Sequence, residues 1–440
     1  MTPSGTPLQN ASGATKKMGM ISAVAMSLSG MMGSGLYSVL GYAFLTDGTH
    51  IPIAFFTAAV AVSFTVYSFC KLSATYPGRG GGPAEFMHSC YGNKFISGWI
   101  NIFMCLGFLL AAALYAASFT DFISTLTGPL LSAGQLKVVG SVVVVFFALL
   151  NLLGANIVGR VAAGSIGLVF LALIIFSVAG MAHMDYGSLQ WKGGSLQGVA
   201  VATGMLYINF QGFGVVTSAA QSMADPSKMV PRSMTIAVML ITLLYLVVSW
   251  VAIQVTPHAE LVAHSDDLLG EAARIIGGKP AFIGIVISAL LACAAAVNAT
   301  IFIAAKVLTH VVNEHSEARV LTRLIGTGNM RPLLISSGIV IVMVLCFPLV
   351  AVGKMASMAF LLIYGIISFG HLRVRSQTGA AAWILWGGVL VNGALFVSLF
   401  INSATTAPAS TFFLVVALIG TCALEIFHRC KFAPRPPNSV

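Results

Sequence analysis

Charge is what this chain has least of. Asp, Glu, Lys and Arg make up 8% of its 440 residues, against about 25% in an ordinary soluble domain. With 58% hydrophobic residues and a mean hydropathy of +0.95, no large soluble domain fits, and the composition is that of a polytopic membrane protein. Acidic side chains are missing from the middle of every apolar run; Asp121, Asp185 and Glu425 sit at ends. A charge inside a membrane is expensive and normally functional. Its absence therefore argues against a site for arginine, lysine or a polyamine, whose cation asks for a carboxylate or an aromatic cage. Catalytic sets are missing too: no HExxH, no Gly-x-Ser-x-Gly with a partner histidine and no paired Asp within a run, which speaks against an intramembrane enzyme. No G-x-x-x-x-G-K-[ST] loop is present to drive a primary pump, and nothing repeats to supply the ring of a channel. The seven cysteines form no CxxC and no metal-ligand spacing. Most lie in apolar runs as small hydrophobes, so no disulfide, metal or cofactor is expected. The nine histidines fall mostly in loops or near run ends and are given no role.

What the chain does have is length in its apolar runs. A membrane helix needs about 20 apolar residues, and twelve candidates are present: 18–45, 51–71, 95–121, 136–154, 157–182, 197–220, 231–255, 280–306, 332–350, 354–373, 380–402 and 408–427. Pro348 and Lys354 leave only a short turn between the ninth and tenth. Lys16 and Lys17 precede the first run, but it is too long for a signal peptide and no A-x-A site clearly ends it, so it is expected to stay as a span.

An even number of spans puts both termini on one side. With the N-terminus inside, seventeen of the 22 Lys and Arg fall on inner segments, among them Lys16, Lys17, Lys71, Arg79, Arg232, Arg319 and Arg429. Only Lys137, Lys192, Arg274, Lys279 and Lys354 are left outside. Basic residues accumulate in cytoplasmic loops, so both termini are expected in the cytoplasm, the chain in the cell (inner) membrane, and lipid around it. That bias also accounts for the net charge of +10 without a nucleic-acid partner. Residues 1–17 and 428–440 read as cytoplasmic tails. Three loops are longer: Tyr76 to Tyr91, glycine-rich and ending in an interfacial helix; an outer segment from Pro257 to Lys279, with a short helix expected to be capped at Ser265; and an inner basic segment from Val307 to Arg331.

The first run is broken by glycine: Gly30-Met31-Met32-Gly33-Ser34-Gly35-Leu36. Gly costs about 1 kcal/mol relative to Ala inside a helix. Either these small residues let another helix approach closely, or the helix unwinds at mid-membrane to offer its backbone to a substrate. The sixth run decides between the two. It carries Asn209-Phe210-Gln211-Gly212-Phe213-Gly214, a second glycine-interrupted stretch at mid-membrane depth. Run 1 enters from inside and run 6 from outside, so runs 1–5 (residues 18–182) and 6–10 (197–373) would be equivalent halves of opposite orientation, followed by a pair at 380–427. Matched interruptions in inverted halves point to a transporter's binding site.

The chemistry of such a pair is that of its helix ends. The half-helix after the first break directs the amides of Ser34, Gly35 and Leu36 at the gap, and its positive end suits a carboxylate. Carbonyls freed on Met31 and Met32, and on Phe210 and Gln211, suit an ammonium. A site with both fits a zwitterionic amino acid. Gln211 is the unusual side chain here; it either meets substrate or satisfies freed backbone groups. Tyr207 and Phe210 either close over the site or simply pack. The expected substrate-binding set is thus Met31, Met32, Gly33, Ser34, Gly35, Leu36, Tyr207, Phe210, Gln211, Gly212 and Gly214. Asn298 and Tyr364 are further pocket candidates, although Asn in a membrane span is often only an interhelical hydrogen bond.

These residues resemble the amino acid–polyamine–organocation superfamily, most closely its broad-specificity, proton-coupled prokaryotic amino acid transporters. The resemblance rests on Gly33-Ser34-Gly35, on Gly212-Phe213-Gly214, and above all on Asp225-Pro226-Ser227-Lys228-Met229-Val230-Pro231-Arg232, which looks like that family's N-P-x-[KR]-x-[IV]-P-[KR] turn before span 7. The glycine-rich loop before Glu85 and the run Ala296-Val297-Asn298-Ala299-Thr300 look like family features as well. It implies an all-α, twelve-span fold with a five-plus-five inverted repeat of the leucine-transporter type, discontinuous helices 1 and 6, and secondary amino acid transport by alternating access. A neutral or small amino acid is the expected substrate; a cationic amino acid or polyamine exchanger is the alternative. Two departures stand out. Val169 aligns with the lysine of proton-coupled relatives, and Cys293, Ala294 and Ala295 align with the hydroxyl residues that hold a cation in sodium-coupled ones. Exchange, facilitated transport or a proton route through another group is therefore expected. Ile208 falls where relatives with bulky substrates carry a gating tryptophan.

Overall fold

A computed structural model describes residues 18–33, 35–77, 83–92, 95–152, 155–186, 194–314 and 330–432. The tails, Ser34, the loop 78–82, most of the basic inner loop and the side chain of Arg160 lie outside the described residues. Among those described there is no strand, only an isolated bridge between Met18 and Met223.

The elements are α1 (Met20–Met31), α2 (Gly35–Asp47), α3 (Ile51–Thr75), α4 (Pro83–Tyr91), α5 (Phe95–Thr127), α6 (Ala133–Leu152), α7 (Ala155–His183) and α8 (Leu196–Leu206). A 3-10 helix, Tyr207–Ser222, continues α8. Then follow α9 (Pro226–Val255), α10 (His258–Ala263), α11 (Leu268–Glu314), α12 (Met330–Cys346), α13 (Leu349–Thr378), α14 (Ala382–Thr406) and α15 (Pro408–Phe432). Ten helical stretches among the described residues are long and apolar enough to cross a membrane, with α1 and α12 as shorter apolar helices. Helix suits hydrocarbon because it satisfies its backbone groups within the segment.

Position follows from how much apolar surface each helix shares with protein. The most apolar window of α5 is 83% buried and those of α14 and α15 only 28%, so α5 is central and the last pair peripheral. Two groups pack around the centre. In one, α1 lies on the 3-10 helix and on α9, α2 on α8, and α3 on α8 and α9. In the other, α5, α6, α11 and α12 pack together. The two interrupted helices thus pair crosswise: the first half of each lies on the second half of the other.

Several local readings change. The second interruption is not an unwound gap. The chain passes from α8 into the 3-10 helix with αR backbone at Leu206 and Tyr207, so the helix tightens rather than opens; long 3-10 runs are uncommon and mark hinges or strain. The outer segment is capped at Asp267, whose Oδ1 accepts the Gly270 amide at 3.2 Å, not at Ser265, which starts a 3-10 turn. That segment runs into α11 through a kink at Gly277 and Gly278, where Gly278 has φ 67°, a left-handed conformation that favours glycine. The turn between the ninth and tenth runs is Phe347–Pro348. Lys354 is therefore inside α13, buried, with its ammonium donating to Asn402 Oδ1 at 3.2 Å and Thr406 Oγ1 at 2.8 Å. The expected interfacial helix is α4, but Ala84, Phe86 and Met87 are buried and it packs on α5 and α13.

Candidate substrate site

Glycine builds the centre of the molecule. A methyl group on Gly30 would meet the Gly212 carbonyl oxygen at 2.6 Å, and one on Gly212 would fall inside the Gly30 backbone. The two interruptions therefore touch main chain to main chain, an approach only glycine permits. Between α1 and α2 the chain leaves the helix at Met32, with φ −79° and ψ 48°. The Tyr115 ring lies 2.5 Å from where a Cβ on Gly33 would sit, and the Asn209 carboxamide oxygen occupies that place at Gly35. Met31, Met32, Gly33, Gly35 and Leu36 are all buried, at the end of one half-helix and the start of the next. Ser34 lies outside the described residues.

Two of the four carbonyls that the breaks were expected to leave free are partnered, those of Met31 and Gln211. Tyr245 of α9 donates its hydroxyl to the Met31 carbonyl at 2.8 Å. Tyr364 of α13 donates to the Gln211 carbonyl at 2.7 Å. Each tyrosine is held by rings: Tyr245 against Phe55 and Phe210, Tyr364 against Phe69, Phe213 and Phe360. Gln211 donates from Nε2 to the Tyr115 hydroxyl at 3.2 Å, which ties the 3-10 helix to α5. Tyr37 and Ser288 share a hydrogen bond of 2.7 Å from α2 to α11.

Of the expected set, the structure brings Met31, Met32, Gly33, Gly35, Leu36, Phe210, Gln211 and Gly212 to this centre. Tyr207 and Gly214 turn to α3: the Tyr207 hydroxyl lies 3.3 Å from Thr65 Oγ1, and Gly214 packs on Phe69. Asn298 makes the interhelical bond, accepting from Asn151 Nδ2 at 2.8 Å. Val169 and Cys293 are fully buried, and no cluster of three metal-ligating side chains occurs among the described residues. Sequence reasoning missed Tyr37, Tyr115, Asn209 and Tyr245. The available signal was a tyrosine in the middle of an aliphatic run, since a buried phenol needs a partner.

A helical membrane protein with a glycine-broken, uncharged centre has the layout of a solute transporter. The chain belongs to the amino acid permease family, within the amino acid–polyamine–organocation superfamily: the model described as "Amino acid permease" matches residues 18–424. It is 26% identical to an uncharacterised protein of Methanocaldococcus jannaschii over 94% of this chain and 95% of that one. It is 24% identical to the inner membrane transport protein YbaT of Escherichia coli, over 86% and 88% of the two chains. It is also 24% identical to the serine/threonine exchanger SteT of Bacillus subtilis, over 63% and 64%.

Proposed function

We propose that this protein is a secondary transporter of neutral amino acids that works by alternating access at the Met31–Leu36 and Phe210–Gly212 centre. The observation that carries the reading is the break at Met32 between α1 and α2, whose buried surroundings are tyrosine, asparagine, glutamine and apolar groups. The start of α2 offers the amides of Gly35 and Leu36 to a carboxylate. No carboxylate among the described residues contacts this centre to hold a cationic side chain, which disfavours the arginine, lysine and polyamine alternative.

In this reading the chain has twelve spans, with residues 18–182 and 197–373 as inverted halves and both termini in the cytoplasm. Contacts between segment ends support the alternation. Lys137 Nζ reaches the Leu345 carbonyl at 2.7 Å and Phe44 meets His258, all at expected outer ends. Met18 N donates to Ser222 O at 2.8 Å and Tyr76 donates to Gln377 at 2.6 Å, at expected inner ends. Rocking of the group containing α1, α3, the 3-10 helix and α9 against the group containing α5, α6, α11 and α12 would expose the centre to each side in turn. With Val169 and Cys293-Ala294-Ala295 at the two places that relatives use for coupling, exchange is the favoured mode.

A thermal-shift screen of the purified protein against the twenty amino acids, putrescine and spermidine tests this reading, because a ligand of the folded state raises its melting temperature. Neutral amino acids are expected to raise it. A shift with only the cationic compounds, or with none, would refute the assignment.

A further inference from the structure

Asp47 is the last residue of α2, just beyond the first apolar run (18–45) and on its expected outer side. It is 1% exposed, and neither carboxylate oxygen has a hydrogen-bond partner among the described residues. The local roles open to an aspartate here are unfilled. It precedes the 3-10 turn Gly48–His50 but makes no side-chain cap. Its Oδ1 lies 3.2 Å from where a Cβ on Gly198 would be, against the first turn of α8. The Gly198 amide of that turn, however, donates to Ser195 Oγ at 2.9 Å. The carboxyl also ends α2, where the helix dipole opposes a negative charge. Ionisable side chains on the elements packed against this end of α2 are His50, then Asp267, Glu271 and Arg274 of the outer segment and Lys354 of α13; α8 has none. Asp267 holds the Gly270 amide, Glu271 pairs with Arg274, and Lys354 bonds Asn402 and Thr406. His50, whose ring packs on Gly194, is the one among the described side chains whose charge acts on Asp47. An unpaired carboxylate taken out of water neutralises rather than stay charged. Burial raises the Asp47 carboxyl to about 6, with the His50 charge pulling the other way.

We propose that Asp47 is a proton-binding site that belongs to the outer-closed conformation of this protein. In this structure the outer side is shut over α2: the Ser265 carbonyl presses on it at Gly41, and Phe44 meets His258. Opening on that side parts α2 from α8 and brings water to the carboxyl, which releases its proton to the water. Closing takes one proton from external water back onto a carboxylate oxygen. Because Asp47 lies at the outer end, the proton enters and leaves from the outside. It sets how readily the centre closes at a given external pH and supplies no net drive for uptake, in keeping with exchange. This gating role rests on the alternating-access reading above; the proton site itself does not.

Asp47→Asn keeps the shape and holds the side chain neutral at every pH. The first measurement is thermal unfolding of the purified full chain and of this variant, without substrate, from about pH 4 to about pH 8. A carboxyl raised on folding contributes stability that is fully present below its unfolded value of about 4 and is lost as pH rises through the folded value. The variant is therefore expected to match wild type at the acid end and to melt higher at the alkaline end. A difference that does not change with pH overturns the site. Asp47→Ser, smaller and equally neutral, gives the same comparison of pH dependence if the asparagine variant cannot be purified. The second measurement is counterflow of neutral amino acids in right-side-out membrane vesicles, with internal pH fixed and external pH varied. Wild type is expected to slow by up to about tenfold from about pH 5 to about pH 8, the change in closing equilibrium for a carboxyl that moves between about 4 in water and about 6 when buried. The neutral variants should lose that dependence. A wild type indifferent to external pH, or variants that keep its dependence, overturn the gating role. If no neutral amino acid gives counterflow while the melting curves behave as expected, the transport assignment fails and the proton site stands.

Discussion

Tyr245 and Tyr364 do for the interrupted backbone what water does at a helix end in solution. A broken helix inside a membrane leaves carbonyls with no water to bond; Tyr245 supplies the donor to Met31 at the break at 2.8 Å, and Tyr364 bonds the Gln211 carbonyl of the tightened 3-10 helix at 2.7 Å. Tyr245→Phe and Tyr364→Phe should each lower stability by about 1–3 kcal/mol, the cost of a buried acceptor left unmade; thermal unfolding of the purified protein in detergent measures it. Glycine gives a sharper contrast. Gly212→Ala forces a methyl group into the Gly30 backbone, and overpacking of this kind costs about 1–3 kcal/mol or more, so a clear drop in melting temperature with loss of transport is expected. Gly393→Ala in α14 meets nothing within 4 Å and should leave both unchanged or raise stability slightly.

Among the elements, α2 is the one pressed closest by the outer segment. The Ser265 carbonyl sits where a Cβ on Gly41 would be, so Gly41→Val must push that segment away from α2. Exchange in proteoliposomes should fall steeply while ligand-induced thermal shifts persist, which separates an impaired outer closure from a lost site. At the other face, Asp225 precedes α9. Its carboxyl is held below the usual range first by the Ser227 hydroxyl at 2.7 Å, then by Lys228 at 3.4 Å. A depressed carboxylate favours the fold above its unfolded value of about 4, and that contribution disappears as pH falls through the folded value. Asp225→Asn should therefore flatten the acid limb of the stability profile by slightly lowering stability at neutral pH while leaving the acid end unchanged. The apolar helices and the break in the first run were legible in the sequence, because long apolar runs and glycine are properties of single segments; the tightened 3-10 course of Tyr207–Ser222 was not. The turn at Phe347–Pro348 was misplaced because Lys354 looked like a loop residue. Its partners, Asn402 and Thr406, come from a helix about fifty residues further along the chain. For the same reason Tyr115, Tyr245 and Asn209 stayed hidden: what makes each of them unusual is its neighbour across the bundle.

At the scale of the whole molecule, α1 lies on the 3-10 helix and α2 on α8; in the proposed topology this centre belongs to both halves, and the bias of basic residues predicts its direction in the membrane. With both termini inside, Cys346 at the end of α12 faces outward and Cys430 near the end of α15 faces inward; both are exposed. A membrane-impermeant maleimide added to intact cells should label Cys346 and spare Cys430 until the membrane is opened, and the reverse pattern would invert the topology. The account stands or falls on transport through the centre where Gly30 meets Gly212. Its most direct measurement is counterflow in proteoliposomes loaded with unlabelled neutral amino acids and exposed to a trace of the same labelled compounds. The label is expected to accumulate transiently for at least one neutral amino acid, with no imposed ion gradient, and to fail to do so for arginine and putrescine. Absence of counterflow for every neutral amino acid, or counterflow confined to the cationic compounds, would contradict it.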